Sequence, residues 1–114
     1  MRTNFQMVDE NITMVSGDTL SFNVIVKDRN GNPVTVDDAS FRAKISRENV
    51  YLAINKTLGS GITQDEGVLT VRLEPADTSN LVGFYIYDMD ITVNGDRFTL
   101  LRGTLQIEYD VKGT

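Results

Sequence analysis

The chain has 114 residues and a mass of 12.7 kDa, with 16 acidic against 11 basic residues, a formal charge of −5 and a pI of about 4.5. It contains no Cys and no His, which removes disulfides, thiolate zinc sites and the commonest general base and metal ligand. The acidic balance opposes nucleic-acid binding, which needs clustered positive charge, and no apolar run approaches the ~20 residues of a membrane helix.

This length predicts one domain, residues 1–114, able to bury a core without covalent staples. No signal-peptide hydrophobic region is evident near Met1, so synthesis in a cytoplasm is expected.

Asn4–Val8 and Asn11–Val15 are short candidate strands split by Asp9-Glu10, and Ser16-Gly17-Asp18 signals a turn. Leu20, Phe22, Val24 and Val26 then alternate with Ser21, Asn23, Ile25 and Lys27. That is a half-buried strand, with Ile25 as an apolar residue on its outer face. Asp28–Pro33 reads as a loop, in which Gly31 can take positive φ. Phe41, Ala43 and Ile45 alternate with Arg42 and Lys44, and Val50–Ile54 is a weaker strand. Thr57–Gln64, with Gly59 and Gly61, reads as a flexible loop. Leu69, Val71 and Leu73 alternate again. In Pro75–Leu81, Asp77 predicts the N-cap of a single helical turn, with Leu81 plugging the core beneath it.

Residues 83–107 predict a long β-hairpin. Asn94-Gly95 tolerates the positive φ that a two-residue type I′ turn needs at both central positions. It places Val93 opposite Asp96, Ile91 opposite Phe98 and Met89 opposite Leu100. The alternation then slips, because Leu105 and Ile107 are in phase with Leu101. One extra residue near Leu101–Arg102, a β-bulge, restores it. Gly103 then faces Tyr87 and makes room for its ring, Leu105 faces Tyr85, and Arg102 faces Asp88 as an opposite-charge pair.

Seven to eight short strands with turn signals between them predict an all-β antiparallel sandwich. Asp77…Gly83-x-Tyr85-x-Tyr87 is similar to the E–F corner of immunoglobulin domains, with Tyr85 where a tyrosine-corner hydroxyl bonds back to upstream backbone. Tyr87 replaces the disulfide Cys, so Phe22 or Val24 is its expected partner across the core.

Two segments together carry a family resemblance. Ser16-Gly-Asp-Thr-Leu-Ser-Phe-Asn-Val-Ile-Val-Lys-Asp-Arg-Asn-Gly-Asn-Pro-Val34 is one. Asp77-Thr-Ser-x-Leu81-x-Gly-x-Tyr85-x-Tyr-Asp88, followed by the Asn-Gly turn and Leu100-Leu-Arg-Gly103, is the other. Their order resembles small bacteriophage virion proteins with an immunoglobulin-like sandwich, and is similar to the N-terminal domain of phage upper baseplate proteins. The likeness covers most of residues 12–110. Val34-Thr-Val-Asp-Asp38 departs from the family's Val/Val-Asp-Leu-Thr-Gly at that point. The resemblance implies a non-catalytic tail, baseplate or neck component, made in the host bacterial cytoplasm and housed in the virion. It supplies no catalytic residues.

Candidate chemistry is thin. Asp28-x-Asn30-Gly31 lacks the downstream Glu of a calcium loop and reads as an Asx turn. Asp37-Asp38 and the Asp88/Asp90 pair on one outer face read as solvated edge charges rather than metal ligands. No Ser has a His partner, and no carboxylate sits in an apolar stretch that would raise its pKa. No catalytic residue, metal or cofactor is therefore expected.

Phe84 and Ile86 fall on the outer face of the hairpin. With Ile25 they form the candidate interface, an apolar patch if all three share one sheet, or a region covered by a loop or by Asn4–Val8. The expected partners are other virion proteins or copies of the chain in a homo-oligomer, with no nucleic acid and no membrane. The alternative is an immunoglobulin-like module that binds a surface protein or glycan. The absence of Trp and the inward placement of the Tyr residues weigh against glycan stacking.

Overall fold

Period-two alternation decides where strands form. The computed structural model describes residues 7–49 and 51–111. These contain strands β1 (Val8–Asp9), β2 (Ile12–Val15), β3 (Leu20–Ile25), β4 (Asp38–Lys44), β5 (Ile54–Leu58), β6 (Gly61–Asp65) and β7 (Val68–Leu73). They continue with the helical turn α1 (Pro75–Thr78) and strands β8 (Gly83–Val93) and β9 (Asp96–Glu108). The fold is all-β.

The strands form one curled sheet in the order β1-β9-β8-β4-β5-β6-β7-β3, with β2 following β1 along the same edge of β9. The sheet folds over where β5 and β6 meet, at only two register positions. Strands β1/β2, β9, β8, β4 and β5 make one layer, and β6, β7 and β3 make the other. The layers face each other. Phe22 of β3 meets Phe41 of β4 edge-on with ring centroids 5.8 Å apart, and Phe41 stacks on Tyr87 of β8 at 5.3 Å. Strand order and facing layers are those of an immunoglobulin-like sandwich. Tyr87 thus stacks on Phe41 of the neighbouring strand in its own layer, and Phe22 meets that Phe41 ring from across the core.

The hairpin turns at Asn94-Gly95, where both residues have positive φ, 53° and 85°. Val93 pairs with Asp96, Ile91 with Phe98 and Asp90 with Thr99. The bulge lies earlier than the alternation indicated. Met89 pairs with Leu101, so the inserted residue is Leu100. Leu100 and Leu101 are both apolar, and period alone cannot tell which one is extra. Below the bulge the expected pairs hold: Asp88 with Arg102, Tyr87 with Gly103, Tyr85 with Leu105.

Several segments differ from expectation. Thr57–Gln64 is not a flexible loop. It contains the end of β5, a tight turn at Gly59-Ser60 and most of β6. The strand expected over Val50–Ile54 begins only at Ile54, and residue 50 lies outside the described residues. Residues 4–6 of the first candidate strand also lie outside them. Asp77 is not the N-cap of α1. Glu74 is, and Asp77 sits three residues later, where its carboxylate accepts from the Glu74 amide at 2.6 Å in the manner of a capping box. Thr78 is buried, its carbonyl accepts from the Ser16 hydroxyl at 2.7 Å, and its hydroxyl accepts from the Gly17 amide at 3.0 Å. Leu81 packs against the core, as expected. The Asp28–Pro33 loop is an Asx turn, with the Asn30 and Asn32 amides donating to the Asp28 carboxylate.

Candidate interaction surface

Successive side chains of a strand point to opposite faces. On β8 this sends Tyr85, Tyr87, Met89, Ile91 and Val93 into the core, and Phe84, Ile86, Asp88, Asp90 and Thr92 outward. Phe84 is 65% exposed and Ile86 36%. Ile86 lies between Thr104 of β9 and Lys44 of β4, and Phe84 is opposite Gln106. Two shallow depressions meet at Ile86. One, of about 380 Å³, is lined by Arg42, Lys44, Leu52 and Asp88. The other, of about 390 Å³, is lined by Asp9, Arg47, Asp88 and Arg102.

Ile25 does not join this patch. It is 64% exposed, but it projects from the outer side of β3, in the opposite layer. The expected three-residue surface is therefore two separate surfaces. Ile25 instead lies at a groove of about 440 Å³, where Val8, Phe22, Leu101 and Glu10 are also found. This groove is the open side of the sandwich, between the terminal strands β1 and β3 of the sheet order.

The charges of the outer face are organised around Asp90. This residue is only 6% exposed, contrary to the expectation of a solvated edge carboxylate. Arg42 donates to it at 2.6 Å, and Arg97, opposite Thr92, closes over it with a second ion pair. The Asp90 hydrogen bond and charge push the Arg97 pKa up. Arg42 also reaches Asp88 at 3.1 Å. Although Arg102 is in register with Asp88, it pairs with Asp9 at 3.2 Å. Asp37 is occupied too: its carboxylate accepts from the Asn94 amide at 2.8 Å and braces the hairpin turn. Among the described residues no three His, Cys, Asp or Glu side chains converge to hold a metal. Among them no helix is long and apolar enough to cross a membrane.

The back-bonding hydroxyl belongs to Tyr87 rather than Tyr85. It donates to the Glu10 carbonyl at 2.6 Å. Gly103 permits this in a different way from the one expected. A Cβ at Gly103 would collide with the Glu10 carbonyl, not with the Tyr87 ring. Burial, with the Glu10 and Asp9 charges added, pushes the Tyr87 pKa up to about 12.

Reasoning from sequence found Phe84 and Ile86 but missed the cations beside them. Lys44 was visible as an outer position of the Phe41–Ile45 alternation. Arg47 and Leu52 come from the β4–β5 connection, where no periodicity places a side chain. No protein-family model matches the chain, and a search of curated proteins finds no match.

Proposed function

We propose that this chain is a non-catalytic structural module of a phage tail, baseplate or neck, which works by packing against other virion proteins or further copies of itself. The observation that supports it best is the pair Phe84 and Ile86, two large apolar side chains two residues apart, facing outward from a central strand. Such a strand cannot easily turn them inward, because a shift of register would also expose Tyr85 and Tyr87. The conjunction of sequence segments described above supplies the virion context.

The test is Phe84→Ser. The side chain leaves the core untouched, so the circular dichroism melt should move by less than about 0.5 kcal/mol. Sedimentation should show reduced association with itself or with the product of a neighbouring tail gene. A large drop in melting temperature with unchanged sedimentation would make Phe84 a structural residue and remove the support for packing.

Tyr51 favours a second reading, an immunoglobulin-like module that binds a surface glycan. At 80% exposure its ring is available for stacking on a sugar beside Leu52. Tyr51→Ala should then abolish glycan-array binding and leave sedimentation unchanged.

A further inference from the structure

The two exposed apolar surfaces differ in charge. Four cations, Arg42, Lys44, Arg47 and Arg102, and two carboxylates, Asp9 and Asp88, line the depressions around Ile86. Of 11 basic and 16 acidic residues in the chain, the remainder therefore contains twice as many acidic as basic groups. Among the described residues Lys44 and Arg47 form no ion pair, and the Lys44 ammonium donates only to the Arg47 carbonyl at 3.1 Å.

The Ile25 surface carries the opposite sign. Ile25 pairs with Val68, and Val68 pairs with Asp65 on the same outer face. The β6–β7 turn adds Glu66, and the groove beside Ile25 has Glu10 as its charged residue. Asp65 and Glu66 are exposed and form no ion pair among the described residues. Lys27, two residues beyond Ile25, offsets one of these three charges.

Resting on the packing role above, we infer that the occupant of the Phe84/Ile86 surface is a second copy of this chain, presenting its Ile25 end. Apolar Ile25 meets Phe84 and Ile86, and the carboxylates of Asp65 and Glu66 meet Lys44 and Arg47. The surfaces lie on opposite layers, so one copy cannot satisfy both with the same neighbour. The contact is heterologous, head to tail, and generates a ring or an open stack. A same-face dimer would instead bring Lys44 and Arg47 of both copies together on a face whose carboxylates, Asp88 and Asp9, are already paired with Arg42 and Arg102.

Charge reversal in sets tests this on the full chain. Lys44→Glu with Arg47→Glu, and separately Asp65→Lys with Glu66→Lys, should each weaken self-association at least ~10-fold by sedimentation at low salt, where charge pairs are least screened. The chain carrying all four reversals should associate again. Circular dichroism melts should nearly coincide for all variants, since Arg47, Asp65 and Glu66 are exposed and Lys44 is only partly buried. Loss of association in both pairs with recovery in the fourfold variant supports the contact. Wild-type association unaffected by Asp65→Lys with Glu66→Lys, or no recovery in the fourfold variant, overturns it. A wild type that stays monomeric yet is found in virions by mass spectrometry overturns the self-contact and leaves the packing role standing. Self-association that follows the charge pattern, in a chain absent from virions, leaves the contact standing and sinks the virion role.

Discussion

Tyr87 links three parts of the chain. Its ring stacks on Phe41, its backbone lies in β8, and its hydroxyl reaches the Glu10 carbonyl between β1 and β2. Tyr87→Phe keeps the stack and removes the bond, so at neutral pH it should cost about 1 kcal/mol, the usual net value of one hydrogen bond. The pH dependence carries more information. The unfolded chain releases the tyrosine proton near 10, while the folded chain holds it to about 12. Below pH 10 both states are protonated and the contribution to stability is complete. As pH rises from 10 towards 12 the unfolded state alone loses its proton, so stability falls. Urea midpoints between pH 8 and 11.5 should fall more steeply in wild type than in Tyr87→Phe. Parallel curves would mean that the hydroxyl is not buried beside the Glu10 and Asp9 charges. Asp90 shows the limit of reading one residue at a time. Its place in the alternation marks it as outward, as it is, yet Arg42 and Arg97 roof it over. Those arginines come from a neighbouring strand and from beyond the turn, and only the assembled sheet brings them together.

Elements differ in how far their own sequence defines them. The β8–β9 hairpin was legible because Asn94-Gly95 fixes the register locally and Phe98, Leu105 and Ile107 repeat it along the strand. The bulge was legible as a phase slip but not as a position, since two adjacent leucines satisfy the core equally well. β5 and β6 were hidden because Gly59, Ser60 and Gly61 suggest a loop, although a tight turn between short strands needs the same residues. The parallel pairing of β1 and β2 with β9 joins residues 93 apart in the chain, Val8 with Leu101 and Ile12 with Leu105, and no local pattern announces it. Gly103 is the point where that pairing is most exposed to change. The Glu10 amide donates to the Arg102 carbonyl at 2.9 Å, and the Glu10 carbonyl crosses above Gly103 to Tyr87. A methyl group there cannot be accommodated by a flexible neighbour, because the atom it meets is backbone. Gly103→Ala should cost about 1–3 kcal/mol, the range for overpacking. It should also accelerate amide hydrogen exchange at Glu10 while leaving Ile91 protected. Unchanged exchange at Glu10 would show that β1 does not depend on this close approach.

At the scale of the molecule, the separation of Ile25 from Phe84 and Ile86 has a physical origin. Alternation tells which side of its own strand a residue occupies, but not which layer the strand belongs to. β3 and β8 are both half-buried strands with an apolar outer residue, and only the fold-over at β5–β6 sends their outer faces in opposite directions. What unites the layers is the aromatic series Phe22, Phe41, Tyr87, in which Phe41 is fully buried and touches both neighbours. The β5–β6 junction contributes two register positions, and the edge between β1 and β3 remains an open groove. Cooperativity between the layers must therefore come from side-chain packing rather than from backbone pairing around a closed barrel. Phe41→Ala should cost about 3–5 kcal/mol, as core aromatic truncations do. Because the ring is shared, the loss should appear equally on both sides. Native-state hydrogen exchange reads this directly, with Val71 of β7 reporting one layer and Leu105 of β9 the other. In wild type both amides should exchange with the free energy of global unfolding, and in Phe41→Ala both should lose the same amount. If Leu105 weakens while Val71 keeps its protection, the β6-β7-β3 layer is stable without the aromatic bridge, and the sandwich is two units joined by a hinge at β5–β6.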